Sequence, residues 1–139
     1  MLKNIPPVLS PDLVKAMMEM GHGDELVLAD ANFPGHSLGV PVVRADGLGV
    51  PELLNAVCTL MPLDQYNDFQ YFLMETVGDD PTPTIWAKYR EIIATHDPKA
   101  VGGQVERFAF YEQAKKASVV VMTGETALYG NIIVKKGVV

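Results

Sequence analysis

The stretch "GHGDELVLADANFP", residues 21 to 34, decides how this chain is read. Its centre, "ELVLAD", is a short, continuously apolar run closed by an acid. A run of that kind suits a strand covered on both faces. Its flanks are more polar than a simple passage from helix to strand needs. His22 stands between two glycines, an Asp-Glu pair follows it, and Asp30 closes the run. The first question is what His22 is for, and whether Asp30 belongs to the same site.

Upstream, "SPDLVKAMMEMG" reads as a helix. Ser10 caps it, Pro11 fits the first helical position, Leu13, Met17 and Met20 share a face, and Gly21 supplies the stop. Downstream, "NFPGHS" is a loop, "VPVVRAD" a second strand and "GLG" a turn. "VPELLNAVCTLM" is a helix that turns Leu53, Leu54, Val57 and Leu60 inward. "DFQYFLMET" reads as a strand, broken by "GDDPTPT". Thr82 and Pro83 open a helix through "TIWAKYREIIATH" that buries Ile85, Tyr89 and Ile92 or Ile93; Pro98 ends the segment. "VERFAFYEQAKKA" is mostly helix, entered from a short strand. "SVVVMTG" and "NIIVKKG" are strands on either side of "ETALYG". Helices and strands interleave, which predicts an α/β protein with a sheet covered on both faces. No internal repeat, low-complexity tract or linker interrupts the pattern, so residues 1–139 are expected to form one domain.

Composition narrows the function. Nearly half of the 139 residues are apolar and 20% are charged, as in an ordinary folded domain. The formal net charge of -6, with no basic cluster beyond Lys115-Lys116 and Lys135-Lys136, disfavours nucleic acid and anionic membranes as partners. "MLKNIPPVLSPDL" has no apolar core of a signal peptide, and no run approaches the ~18 apolar residues of a membrane span. A cytoplasmic location is the expectation. The single cysteine, Cys58, has apolar helical neighbours and reads as a core thiol. The tail "IIVKKGVV" ends on apolar residues and is expected to dock on its own core or on a neighbouring subunit.

Several chemistries lack their residues. There is no phosphate-cradling loop with its lysine, and "DGLGVPEL" lacks the third glycine of a dinucleotide fingerprint. There is no G-x-S-x-G elbow, and Cys58 has no partner at zinc-ligand spacing. A metal-dependent hydrolase built on His22, Asp24 and Asp30 lacks an obvious third nitrogen ligand. No metal and no cofactor are therefore expected.

What remains is acid/base chemistry and hydroxyl recognition. An imidazole, ordinarily titrating near ~6.5, gives and takes protons near neutrality, and the glycines around His22 allow close approach. His36 in "FPGHS" is a second loop candidate, whereas His96 sits at a helix end where the dipole accounts for it. "GETALYGN" offers the amphipathic ring of Tyr129 beside the backbone and amide groups of Gly130 and Asn131. A sugar needs that mixture of apolar platform and fixed donors and acceptors. Arg107, between Glu106 and Phe108, presents a planar fork of donors or pairs with a carboxylate. His22 precedes its strand and Asp30 follows it. A straight strand would hold them roughly 20 Å apart or more. Either the loops fold back, or the two act from different subunits.

On these residues the chain resembles the family of L-fucose mutarotases and D-ribopyranases. The similarity runs from "IPPVLSPDLVKAMMEMGHGD" through "ADANFP" to "YGNIIVKKGV", and "ADANFP" looks more like the fucose branch. The resemblance implies a three-layer α/β/α fold with a mixed sheet. It implies an isomerase that interconverts anomers, or ring forms, of a free monosaccharide such as L-fucose without a cofactor. Carried over by position, His22 is the proton donor, and Asp30, Arg107, Tyr129, Gly130 and Asn131 hold the sugar. Tyr129 or a water is the second proton-transfer group. Members form homo-oligomeric rings, commonly decamers, with sites at subunit contacts, which would bring His22 and Asp30 together. The alternative is a monosaccharide-binding module, without turnover, in sugar uptake or regulation.

Overall fold

A computed structural model describes residues 1–139. Its centre is a six-stranded mixed sheet in the order β2-β5-β1-β6-β3-β4. The strands are β1 (Glu25–Ala29), β2 (Val42–Ala45), β3 (Tyr71–Met74), β4 (Gly102–Val105), β5 (Val119–Thr123) and β6 (Ile132–Lys135). β1 pairs parallel with β5, and β5 with β2; β3 pairs parallel with β4. β6 runs antiparallel between β1 and β3 and joins the two parallel pieces. Four helices cover the sheet: α1 (Pro11–Glu19), α2 (Val50–Leu60), α3 (Ile85–His96) and α4 (Arg107–Ala114).

The period of two along each strand builds two cores. Leu26, Leu28, Val119, Val121, Ile132 and Val134 face α1, α2 and α3 in a cluster of 23 buried residues. Val27, Ala29, Val120, Met122 and Ile133 face the other way, onto Phe110 and Ala114 of α4, in a cluster of ten. The continuous apolar runs read from the sequence are thus strands buried on both faces, and the fold is the expected three-layer α/β/α arrangement.

Local chemistry sets the helix starts. The Ser10 hydroxyl accepts from the Leu13 N–H at 3.2 Å, with Pro11 at the first position of α1. The Glu106 carboxylate accepts from the N–H groups of Phe108 and Ala109 at the start of α4. At the far end of α1, the Lys136 ammonium donates to the carbonyls of Met17 and Met20, which have no helical donor left.

Two expectations change, and a third narrows to one of its two alternatives, a neighbouring subunit. Leu60, the last residue of α2, is exposed; Ala56 and Cys58 take buried places on that helix instead. α3 begins at Ile85 rather than Thr82, and its first buried residue is Trp86, while Ile85 is only half-buried. The C-terminal valines, Val138 and Val139, do not return to the chain's own core but stand exposed beyond the bridge between Leu63 and Lys136. No helix is long and apolar enough to cross a membrane.

Candidate functional site

The two ends of β1 carry two separate groups of polar residues. At its amino end, the chain leaves α1 through Gly21, His22 and Gly23. The Gly21 N–H donates to Asp24 Oδ2 at 2.7 Å, and the Gly23 N–H to the Lys136 carbonyl at 2.9 Å. Gly23 has φ +87°, the left-handed region in which a side chain is strained. This turn holds His22 at the surface, where its Nε2 lies 3.2 Å from Oδ1 of Asp64. The imidazole is half exposed, at 51%, whereas the Asp64 side chain is 1% exposed. The ring edge also meets Tyr66, with centroids 5.3 Å apart.

Asp64 is built into the fold. Its N–H donates to the Lys135 carbonyl, and its carboxylate accepts from the Tyr66 N–H at 3.0 Å and from the Asn67 amide. Burial alone would push its carboxyl upward. The hydrogen bonds from Tyr66, His22 and Asn67, with the His22 charge, outweigh burial and hold it below the usual carboxylate range. A buried carboxylate hydrogen-bonded to one imidazole nitrogen orients the ring.

At the carboxyl end of β1, Asp30 and Asn131 form a reciprocal pair. The Asp30 N–H donates to Asn131 Oδ1 at 2.7 Å, and Asn131 Nδ2 donates to Asp30 Oδ2 at 2.9 Å. Asp30 Oδ1 accepts from the Asn32 N–H at 2.9 Å. The antiparallel pairing of Leu28 with Ile132 places the residues just beyond those strand ends side by side. Burial pushes the Asp30 carboxyl above its usual range, against the pull of its hydrogen bonds, and the nearby Glu125 carboxylate adds to the rise.

Around this pair lies a cavity of 250 Å³ whose walls include Asp30, Asn131, Arg107, Tyr129, Asp80, Phe33 and Tyr111. That is below the ~300–1,000 Å³ of sites for drug-sized ligands, and fits one small ring. Asp30 follows β1, Met74 ends β3, Arg107 follows β4, and Asn131 precedes antiparallel β6. All converge at the carboxyl edge of the parallel strands, where α/β sheets bind ligands. The rings of Phe33 and Tyr111, 5.5 Å apart, supply an apolar wall. Glu106 is occupied as the cap of α4, and Arg107 makes no ion pair. Its guanidinium carbon lies 4.8 Å from the Phe108 ring centroid, leaving the donors for a ligand.

Tyr129 has φ +56°, in the left-handed region. Its carbonyl accepts from the Trp86 indole at 2.9 Å, and its hydroxyl donates to Asp80 and accepts from the Val77 N–H at 3.1 Å. Gly130 stands apart from the other sequence candidates. It does not line the cavity; its carbonyl accepts from the Tyr89 hydroxyl at 2.6 Å, and its N–H donates to Ala127. A Cβ there would come within 2.8 Å of the Ala127 carbonyl oxygen. Its service is to let the chain turn beneath Tyr129.

The structure therefore groups Asp30, Arg107, Tyr129 and Asn131 and leaves His22 at the other end of the strand. The loops do not fold back to unite them within one chain. Nor do His22, Asp24 and Asp30 converge, since Asp24 is bonded to Gly21; no three His, Cys, Asp or Glu side chains come together as a ligand set. His36 faces Arg44 at 3.2 Å, and His96 faces Asn55 at 2.8 Å, both away from the cavity. Sequence reasoning missed Asp64 and Asp80. Neither belongs to a local motif; each is recognised by a partner 42 or 49 residues away. A wider groove of 770 Å³ is lined mostly by apolar residues, Met1, Leu2, Ile5 and Met18 among them, with Lys15 and Glu19 at hand.

These features define an α/β protein with a small polar and aromatic cavity at the carboxyl edge of a mixed sheet. Over residues 3–139 the chain matches the RbsD / FucU transport protein family, and it belongs to that family. It is 52% identical to the fucose mutarotase of Streptococcus pneumoniae, whose structure was solved in complex with L-fucose; the match covers 99% of each chain with a TM-score of 0.95. FucU of Bifidobacterium longum is 48% identical, again over 99% of each chain, with a TM-score of 0.95. RbsD of Bacillus subtilis, solved with D-ribose, is 19% identical over 94% of this chain and 95% of its own, with a TM-score of 0.74, a likeness of fold.

Proposed function

We propose that this protein is an isomerase, a mutarotase that exchanges the α and β anomers of L-fucose. The observation that carries the reading is the cavity, with Asp30, Asn131, Arg107 and Tyr129 converging on it, in a chain 52% identical end to end to a fucose mutarotase. Anomer exchange opens a hemiacetal. One group takes the proton of the anomeric hydroxyl while another protonates the ring oxygen; the aldehyde end rotates, and the steps reverse. Each positioned proton transfer contributes typically ~10²–10⁴-fold. No step calls for redox chemistry or a covalent nucleophile.

In this reading His22, oriented by Asp64, is the proton donor, and it reaches the cavity of an adjacent copy. Asp30 accepts from sugar hydroxyls with the lone pairs its Asn32 and Asn131 bonds leave free, Arg107 and Asn131 hold others, and Tyr129 stands at the reacting end. The separation of His22 from the cavity supports sites shared between subunits of a closed homo-oligomer, a decameric ring as in the resemblance. The exposed Val138, Val139 and Met18 and the apolar N-terminal groove supply surface for such contacts. The location proposed is cytoplasmic.

The test is magnetisation-transfer NMR between the anomeric proton signals of L-fucose, with D-ribose in parallel. Faster L-fucose exchange at catalytic protein concentration is the expected result. Binding of L-fucose without any acceleration would replace the mutarotase by a sugar-binding module.

A further inference from the structure

Tyr129 has a difficulty as a proton acceptor. A neutral phenol has no place for a second proton, so it can take one from a sugar only by handing on its own in the same motion. The structure shows where that proton would go. The Tyr129 hydroxyl donates to Oδ2 of Asp80, and Asp80 lines the same cavity. The hydroxyl also accepts from the Val77 N–H at 3.1 Å. With one donor and two acceptor positions on a hydroxyl, a single acceptor position remains, and a sugar hydroxyl would fill it.

The turn that carries Asp80 is made for this. The Asp80 N–H donates to the Val77 carbonyl at 3.2 Å, and Gly78 within the turn has φ +59°. Pro81 and Pro83 stiffen the chain just beyond. Val77 and Asp80 thus grip one phenolic oxygen from the two ends of one tight turn.

We infer that Asp80 and Tyr129 form a two-residue proton relay that serves the anomeric hydroxyl. This rests on the mutarotase reading and adds the group that reading lacks. On opening, the anomeric O–H bond breaks and its proton passes to Tyr129 Oη, whose own proton passes to the Asp80 carboxylate. The carbonyl forms, the bond from the anomeric carbon to the ring oxygen breaks, and the ring oxygen takes the proton of His22 from the adjacent copy. On closure each proton returns by the same route. Atoms and charge balance without an oxidant, a metal or a cofactor.

Asp80→Asn separates a relay from a strap. The amide oxygen still accepts from the phenol and still pins the turn, but it cannot take a proton. At saturating L-fucose, Asp80→Asn is expected to slow anomer exchange by roughly 10²-fold with the half-saturating concentration little changed. Asp80→Glu should recover part of the rate. Tyr129→Phe should slow exchange similarly, and the double variant should be no slower than Tyr129→Phe alone, because the two act as one unit. A wild-type rate in Asp80→Asn, a change in half-saturation alone, or losses that multiply in the double variant would each overturn the relay while leaving the mutarotase intact. A wild type that binds L-fucose and does not speed its exchange would overturn both.

Discussion

The amino end and the carboxyl end of β1 differ in how they treat charge. At the amino end, a buried Asp64 is held ionised by three hydrogen bonds and faces a half-exposed His22. At the carboxyl end, Asp30 is buried with its charge disfavoured, beside a second carboxylate, Glu125, and braced by Asn131. The first end sets an imidazole against an ionised carboxylate; the second offers acceptors for hydroxyls. In the proposed function, either end alone is half of an acid/base site for a neutral polyol. The lesson is that one strand can carry unlike polar groups at its two ends and keep them too far apart to meet within one chain.

The largest expected effect tests whether the halves belong together. His22→Ala should slow L-fucose exchange by roughly 10²-fold or more in a folded protein, because a general acid acts at the transition state and contributes little to packing. If His22 and Tyr129 come from different copies, co-expressing His22→Ala with Tyr129→Phe should regenerate intact sites in about a quarter of positions, since random assembly pairs the two good halves that often. The same NMR exchange measurement reads this. No recovery would place both halves in one chain.

Next comes Asp64→Asn, which keeps the shape and removes the charge. Exchange should slow by about 10- to 100-fold, the equivalent of losing one charge-assisted hydrogen bond of ~1.5–3 kcal/mol. Stability should change with pH as well. The Asp64 carboxyl lies below its unfolded value of ~3.9, so its contribution is present above that pH and is lost as pH falls through the lowered folded value. Thermal unfolding across the acid range should therefore show a shallower loss in Asp64→Asn than in wild type. Parallel acid limbs would remove Asp64 from this role.

Asp30→Asn should act on the other end and more weakly. Asn131 cannot rotate, because its carbonyl oxygen already accepts from the Asp30 N–H. An amide at position 30 would turn an NH₂ toward either the Asn32 N–H or the Asn131 NH₂. L-fucose should then half-saturate at about tenfold higher concentration, with a smaller change in the saturated rate. A large loss of saturated rate with unchanged half-saturation would make Asp30 a proton-transfer group instead.

The smallest effect concerns neither end. Burial, with Asp97 adding, pushes the Cys58 thiol up to about 12. Almost no thiolate forms near neutrality, so iodoacetamide should leave the native protein unmodified and fully active and should label it only after unfolding. Mass spectrometry of native and denatured samples checks this.

The architecture was legible because its signals are local. "ELVLA" and "SVVVMT" bury both faces, and the alternate residues of each enter different cores. Ser10-Pro11 begins α1 as its chemistry requires. The misplaced Leu60 lies at an edge, where it ends its helix, and Val138-Val139 leave the sheet; in both places hydrophobicity alone does not say what covers a side chain. Short motifs and a family resemblance point to Asp30, Arg107, Tyr129 and Asn131, and the structure places them around one cavity. The same motif points to Gly130, which shapes the turn rather than the wall.

By itself, then, the sequence determined the elements, the two-sided sheet and the residue types available for proton transfer. Those follow from side-chain volume, polarity and backbone freedom, which act over a few residues. Only the tertiary structure decided the partnerships: Asp64 with His22, Asp80 with Tyr129 and Asn131 with Asp30, the last across 101 residues. Such pairs arise where strand order and register bring distant loops to one edge of a sheet. A hydrogen bond depends on distance and angle at that edge, and no local pattern in the chain encodes either.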